Sequence, residues 1–212
     1  MKTKLALIAL AFTCALNAQE VLNTVNTSMV VNARPGSELM ISYYGPKLDE
    51  ADAANLMAAG LRPQRAYPAH GLIGKEEEAI SVIFPDGNMT LKLQVSAVSS
   101  ENWENGRILK VESRDTHYPF TVTNYFKTYE KENMISTWSV ISNGGKKPVK
   151  LTRFDSGCLP FRYQDVWISY LYGSWGNEGR VASEPLQRGM KAIQNSDGVR
   201  NSPTFPSEPM LS

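Results

Sequence analysis

The chain has 212 residues, 42% of them hydrophobic and 20% charged, with a formal net charge of +1. That length and composition allow one large domain or two small ones, with a buried core, and exclude a disordered chain. The balanced charge, without a basic stripe, excludes nucleic acid and an anionic membrane as partners.

The first eighteen residues read as a secretory signal. MKTK is a positive head, LALIALAFTCAL is an apolar stretch too short to span a bilayer, and LNA offers small residues for cleavage after Ala18. The expected product is one domain, residues 19–212, in the periplasm or secreted, with no membrane attachment once the signal is removed. Ala11-Phe12-Thr13 before Cys14 is a poor lipobox, which favours soluble export over a lipid anchor. Lys2 and Lys4 leave with the signal, taking the formal charge from +1 to −1 (+1 minus 2). Cys158 is then the sole cysteine, so no internal disulfide forms and the fold rests on packing.

In chain order, ELMISYY predicts a strand, and Asp49 caps a helix over EADAANLMAA that Gly60 closes. The stretch around Pro63, Pro68 and Gly71 reads as a connecting loop. AISVIF and MTLKLQVSA flank PDGN, which predicts a hairpin with Asp86-Gly87 in its turn. Ile80, Val82 and Phe84 would face one side, met by Leu91, Leu93 and Val95. RILKVES, FTVTNYFKTYE, MISTWSVIS, VKLTRFD and VWISYLY predict further strands, with a turn at Asn143-Gly144-Gly145. The tail GVRNSPTFPSEPMLS, with three prolines and no periodicity, reads as a linker or extended arm. The pattern is that of an all-β, antiparallel sandwich with one short helix.

Little familiar chemistry is present. His70 and His117 have no ligand-spaced neighbours, so no metal site is expected. YGSWG lacks the spacing of a nucleophile elbow, and Cys158 has no evident histidine partner, which points to an inert buried thiol. Asn143-Gly144-Gly145-Lys146-Lys147 lacks the phosphate-loop frame and reads as a turn followed by solvated charge. Of the two acidic clusters, Asp49-Glu50-Asp52 matches a helix dipole and Glu76-Glu77-Glu78 reads as a solvated loop.

The aromatic run VWISYLYGSW is the strongest remaining signal. Strand alternation puts Tyr170 and Tyr172 on one face and Trp167 on the other, with Trp175 near the strand end. Such rings either fill a sandwich core or stack on sugars, and Glu178 would then hold hydroxyls or lock the turn. Spacing favours the core without settling it.

Taken in order, YYGPKLDEAD, AYPAHG, AISVIFPDGNMTLKLQV, FKTYEKENMISTWSVISNGGKKPVKLTRFDSGCLPF, Trp175-x-x-Glu178, Pro185-Leu186, Gly189 and IQNSDGVRNSP resemble the N-terminal domain of glycoside hydrolase family 36. That family consists mainly of α-galactosidases. The resemblance implies a β-supersandwich related to the galactose mutarotase fold. It also implies a following (β/α)₈ barrel that carries both catalytic aspartates, one as nucleophile and one as acid/base. No catalytic residue can therefore be assigned here, the segment ends where such a barrel would begin, and it should be inactive alone.

The resemblance further implies a domain that packs on the barrel, in cis or in trans, assists homo-oligomers and helps shape a pocket for α-galactosides or related oligosaccharides. No cofactor is implied, since two carboxylates suffice for hydrolysis with retention. By the same analogy Asp52, with Asp49 as its rival in alignment, contacts substrate. Trp175 and Glu178 shape the domain edge near the barrel. AHGLIGKEEEAI departs from the family in lacking a Gly-x-x-Asp-x-Arg pattern, which implies loss of a pocket-closing contact. Ser207-Glu208-Pro209 departs from the usual link into the barrel. The competing expectation is a stand-alone periplasmic carbohydrate-binding module, or a structural module that assembles with a separate barrel.

Overall fold

A computed structural model describes residues 19–56, 61–72, 76–160, 166–174, 177–187, 191–193 and 208–211. The chain divides into two compact units, Met1–Pro160 and Phe161–Ser212.

The first unit carries β1 (Gln19–Asn23), β2 (Thr27–Asn32), β3 (Met40–Pro46), α1 (Glu50–Asn55), β4 (Gln64–Arg65), β5 (Ile80–Ile83), β6 (Leu93–Trp103), β7 (Gly106–Asp115), β8 (Phe120–Tyr129), β9 (Met134–Asn143) and β10 (Lys150–Phe154). These form three open sheets in the orders β1-β2-β3-β4, β10-β5 and β6-β7-β8-β9, with every ladder antiparallel. The arrangement is the antiparallel β-sandwich with one short helix that the alternation predicts.

Alternation explains which side is inside. Along β8, Phe120, Val122, Asn124, Phe126 and Thr128 are buried on the inward face; of the residues that alternate with them Thr123 is also buried and the others are half-buried. Leu109 and Val111 of β7, Val95 of β6 and Phe126 meet Leu22, Met29, Val31 and Ile41 from the β1–β4 sheet in one core cluster. Phe120, Val122, Leu91 and Leu93 meet Ile80, Val82 and Phe84 in a second. The four long strands β6–β9 thus form one layer, and the two smaller sheets cover its inner face side by side. Burying a single side chain such as Phe120, 1% exposed, contributes about 2–3 kcal/mol of transfer free energy.

The expected hairpin across PDGN needs correction. The turn itself forms: Gly87 has φ 86, and Phe84 and Gly87 close it through backbone hydrogen bonds to Asn88 and Phe84. Its arms do not pair. β5 pairs with β10, and β6 begins at Leu93 and pairs with β7. The two arms belong to opposite layers, so their apolar residues meet face to face instead of edge to edge. Val95 packs in the other cluster from Leu91 and Leu93.

The ladder hairpin sits further on, where Glu104-Asn105 link β6 to β7 and Trp103 pairs with Gly106. Gly106 has φ 146, and a Cβ there would lie 2.4 Å from the Thr128 carbonyl oxygen, so only glycine fits. β1 and β2 were not evident from the sequence pattern. The helix is shorter than its pattern suggests, ending at Asn55, and Gly60 lies outside the described residues.

The second unit is a three-stranded sheet. β11 (Trp167–Ser174) lies between β12 (Asn177–Pro185) and β13 (Glu208–Leu211). Of the two expectations for the tail, linker or extended arm, β13 agrees with the second at Glu208–Leu211. Pro209 pairs with Tyr170 there, on an edge strand, the one place in a sheet where a missing N–H costs little. Among the described residues no helix is long and apolar enough to cross a membrane.

Candidate functional site

The sequence points to three places: the acidic helix start, the loop that follows it, and the aromatic strand. Asp49 and Asp52 lie on α1, which leaves β3 after Pro46. Asp49 is the N-cap: its Oδ1 accepts the Asp52 backbone N–H at 2.7 Å. The helix is fastened from below. Leu48 N–H donates to the buried Ser28 Oγ at 2.9 Å, Lys47 N–H donates to Asn26 O at 2.8 Å, and Gln19 Nε2 donates to Ala53 O at 2.9 Å. Ala53 and Leu56 are buried beneath it.

Both aspartates are exposed, and the Asp52 carboxylate has no hydrogen-bond or ion-pair partner among the described residues. Asp49 is committed to the backbone on one oxygen; Asp52 is presented on a fixed base with its acceptors free. An exposed acceptor pair of this kind can take hydroxyl hydrogen bonds. It is not a buried, proton-holding pair of the sort acid–base catalysis needs.

The loop between α1 and β5 is tied down, not loose. Ala66, Tyr67 and Ala69 of AYPAHG are buried, Ala69 bridges Ile80, and His70 exchanges backbone contacts with Ile80 and Leu91. Tyr67 donates its hydroxyl to Asp155 O at 2.6 Å, and burial pushes its pKa up to about 12.

The three glutamates of this loop lie at the surface, as a solvated loop requires, and each also has an ion-pair or hydrogen-bond partner. Glu76 pairs with Arg65 at 2.9 Å, Glu77 with Arg153, and Glu78 with His70 Nδ1 at 2.6 Å. Arg65 also holds Glu38 at 3.0 Å, and these hydrogen bonds, Glu38 foremost, raise its pKa further. Each pair is partly exposed and stabilises by only a few tenths of a kcal/mol to about 1 kcal/mol. Together they fix the loop's path between β3 and β10. The partners lie 11, 76 and 8 residues from their glutamates along the chain, so no local pattern announces the set.

Cys158 is a free thiol, half-buried against the second core cluster; burial raises its pKa, as an inert thiol requires. Among the described residues no group of three or more His, Cys, Asp or Glu converges as metal ligands.

On the aromatic strand, Trp167 is 47% exposed. It therefore lies at the surface, against the balance of spacing, while Tyr170 and Tyr172 are half-buried. β11 is the central strand of its sheet, so these rings do not line a sheet edge. Trp167 pairs with Pro185 and Leu171 with Val181, which puts all four side chains on one face. Val181, 60% exposed, and Leu186 add to the uncovered apolar surface of this hairpin. Alternation in Val181-Ala182-Ser183 was the available sign of β12. Trp175 lies outside the described residues; Glu178 is in β12, and its side chain is likewise not described. The structure thus brings Asp49 and Asp52 together on one helix end.

Comparison with known proteins gives a consistent set of matches. The model of the glycosyl hydrolase family 36 N-terminal domain matches residues 37–207. The α-galactosidase AgaA of Geobacillus stearothermophilus is 26% identical over 149 residues, covering 63% of this chain and 20% of that protein. Among solved structures, a variant of AgaA in complex with stachyose superposes with a TM-score of 0.73 at 20% identity, covering 87% of this chain and 31% of that one. The α-galactosidase from Lactobacillus brevis superposes with a TM-score of 0.72 at 16% identity, covering 82% and 28%. The chain therefore spans about a fifth of the curated relative and under a third of the solved ones.

Proposed function

Because this chain belongs to glycosyl hydrolase family 36, as that family's N-terminal domain, we propose that it is the non-catalytic sandwich of an exported α-galactosidase. In this reading it packs on a catalytic barrel, in cis or in trans, and helps shape the barrel's sugar pocket. The reaction it serves is hydrolysis of terminal α-galactosyl residues with retention, without a cofactor. The signal-like residues 1–18 support release into the periplasm or the medium after cleavage behind Ala18.

One observation carries the packing role. Trp167, Val181 and Leu186 expose apolar surface on a single hairpin of the second unit, and clustered exposure of this kind calls for a partner. Asp52, with its carboxylate free on an anchored helix, is the residue we assign to a sugar hydroxyl. Asp49 positions it through the cap. Trp175 and Glu178 keep the role of shaping the domain edge.

The purified chain alone should not hydrolyse 4-nitrophenyl α-galactoside. Turnover that survives repurification and is abolished by Asp52→Asn would overturn the non-catalytic reading. The exposed Trp167 also favours a second reading, a stand-alone carbohydrate-binding module. Calorimetric titration with raffinose separates the two, since a barrel partner alone gives no heat above dilution.

A further inference from the structure

A cleft of about 450 Å³ opens at one end of the first unit's sandwich, and none of the residues assigned above is in its lining. Three turns build it: Pro85 and Asp86 of the β5–β6 connection, Tyr118 and Pro119 of the β7–β8 turn, and Asn143 through Lys147 of the β9–β10 turn.

Each turn is fixed by its own bonds. Asp115 Oδ1 accepts the His117 and Tyr118 N–H groups at 2.8 and 2.7 Å, and its Oδ2 accepts Lys92 N–H at 2.6 Å. Asn143 accepts Gly145 N–H at 3.0 Å and donates to Lys147 O at 2.9 Å. Gly144 N–H reaches across to Pro119 O at 2.7 Å, tying two of the turns together. The cleft is therefore preorganised, and a ligand need not pay to order it.

Its floor is aromatic. Tyr118 stacks on Phe84 with ring centroids 3.8 Å apart and planes 9° apart, and Phe84 meets Phe120 edge-on beneath. Phe84 covers one face of the half-buried Tyr118 ring, and both rings line the cleft. The Tyr118 hydroxyl donates to Asp86 Oδ2 at 2.7 Å, which holds the ring in place and lowers the Asp86 pKa. Lys146 and Lys147 bring two ammonium groups, and neither has a carboxylate partner among the described residues. Against them stands one carboxylate that is already bonded. The charged lining is two cations to one anion.

A flat ring platform suits the apolar face of a pyranose. Asp86 retains lone pairs for hydroxyls, and the unpaired lysines favour an anionic substituent. We propose that this cleft is a non-catalytic binding site for an acidic sugar unit, a pyranose that carries a carboxylate. This goes beyond the α-galactosidase reading and does not depend on it.

The test is calorimetric titration of the full chain with a galacturonic acid trimer, with a neutral galactose trimer as control, at low and at physiological salt. The expected result is binding of the acidic trimer that weakens with salt, and weaker or no binding of the neutral one. The Lys146→Ala/Lys147→Ala double variant should bind about tenfold more weakly, as for two partly exposed ion pairs lost, with thermal unfolding unchanged. No heat with the acidic trimer would overturn the proposal, as would equal affinity for the neutral trimer. So would undiminished binding by the double variant, which would leave Lys146 and Lys147 as solvated charge.

Discussion

The two units of this molecule treat their apolar residues differently. Among the described residues of Met1–Pro160 the large hydrophobics collect in two buried clusters between facing sheets, and six exposed ones are spread from Val25 to Phe154. Among the described residues of Phe161–Ser212 three more are exposed, all on or beside the β11–β12 hairpin. The first unit has the two packed layers of a self-sufficient domain. The second is a three-stranded sheet with a face of Trp167, Leu171, Val181 and Pro185 that its own strands cannot cover. The difference teaches that the buried core of the first unit and the surface proposed for partnership lie in separate parts of the chain.

Substitutions at five residues would break or sharpen that contrast, taken from the largest expected effect to the smallest. Phe120→Ala removes a fully buried ring from the first unit and should cost about 3–5 kcal/mol in urea unfolding. A cost below about 1 kcal/mol would mean the cluster is not the core.

Tyr67→Phe deletes the 2.6 Å bond to Asp155 O and should cost about 1 kcal/mol at neutral pH. It also carries a pH signature. The folded phenol titrates at about 12, above its ordinary value of 10.0, so the fold holds that proton when the unfolded chain has lost it. The stabilisation is fully present below pH 10.0 and is lost as pH rises through about 12. Stability measured across that window should fall in the parent and fall less in Tyr67→Phe.

Asp49→Ala removes the helix cap and should cost about 0.5–2 kcal/mol, while Asp49→Asn keeps an acceptor and most of the stability. Trp167→Ser with Val181→Ser should change unfolding by less than about 0.5 kcal/mol, since both side chains are exposed. The same pair should reduce self-association in sedimentation. A large loss of stability would show that this face is core after all.

The strands with strict alternation were legible in the sequence. RILKVES and FTVTNYFKTYE became β7 and β8 because one face of each is buried and a slip of one residue would invert it, while MISTWSVIS became β9 with only a half-buried inner side that includes Ile135 and Ile141. The inward face of AISVIF was legible for the same reason. Its partner was not: PDGN forms a turn in either case, and local pattern cannot say whether the arms pair or separate into layers.

β1 and β2 were missed because VLNTVNTSMVVN alternates poorly: β2 is buried at Ser28, Met29, Val30 and Val31 in succession. The Asp49 cap was visible because capping is local. The Glu77 pair was invisible because Arg153 comes from the far end of the unit, and the Glu76 and Glu78 pairs because Arg65 and His70, though near in sequence, meet them only through the fold of the loop. Trp167 was ambiguous since the same residue type serves a core or a surface equally well, and only the sheet's other face decides.

The central claim is that this domain serves a catalytic barrel and does not act alone. Its most direct test is capture of the native protein from its source cells with an antibody to the sandwich, followed by an assay of the captured material on 4-nitrophenyl α-galactoside. The account predicts that turnover is captured with the domain, and that the purified 212-residue chain has none. Captured protein without turnover, from cells that otherwise hydrolyse the substrate, would contradict it.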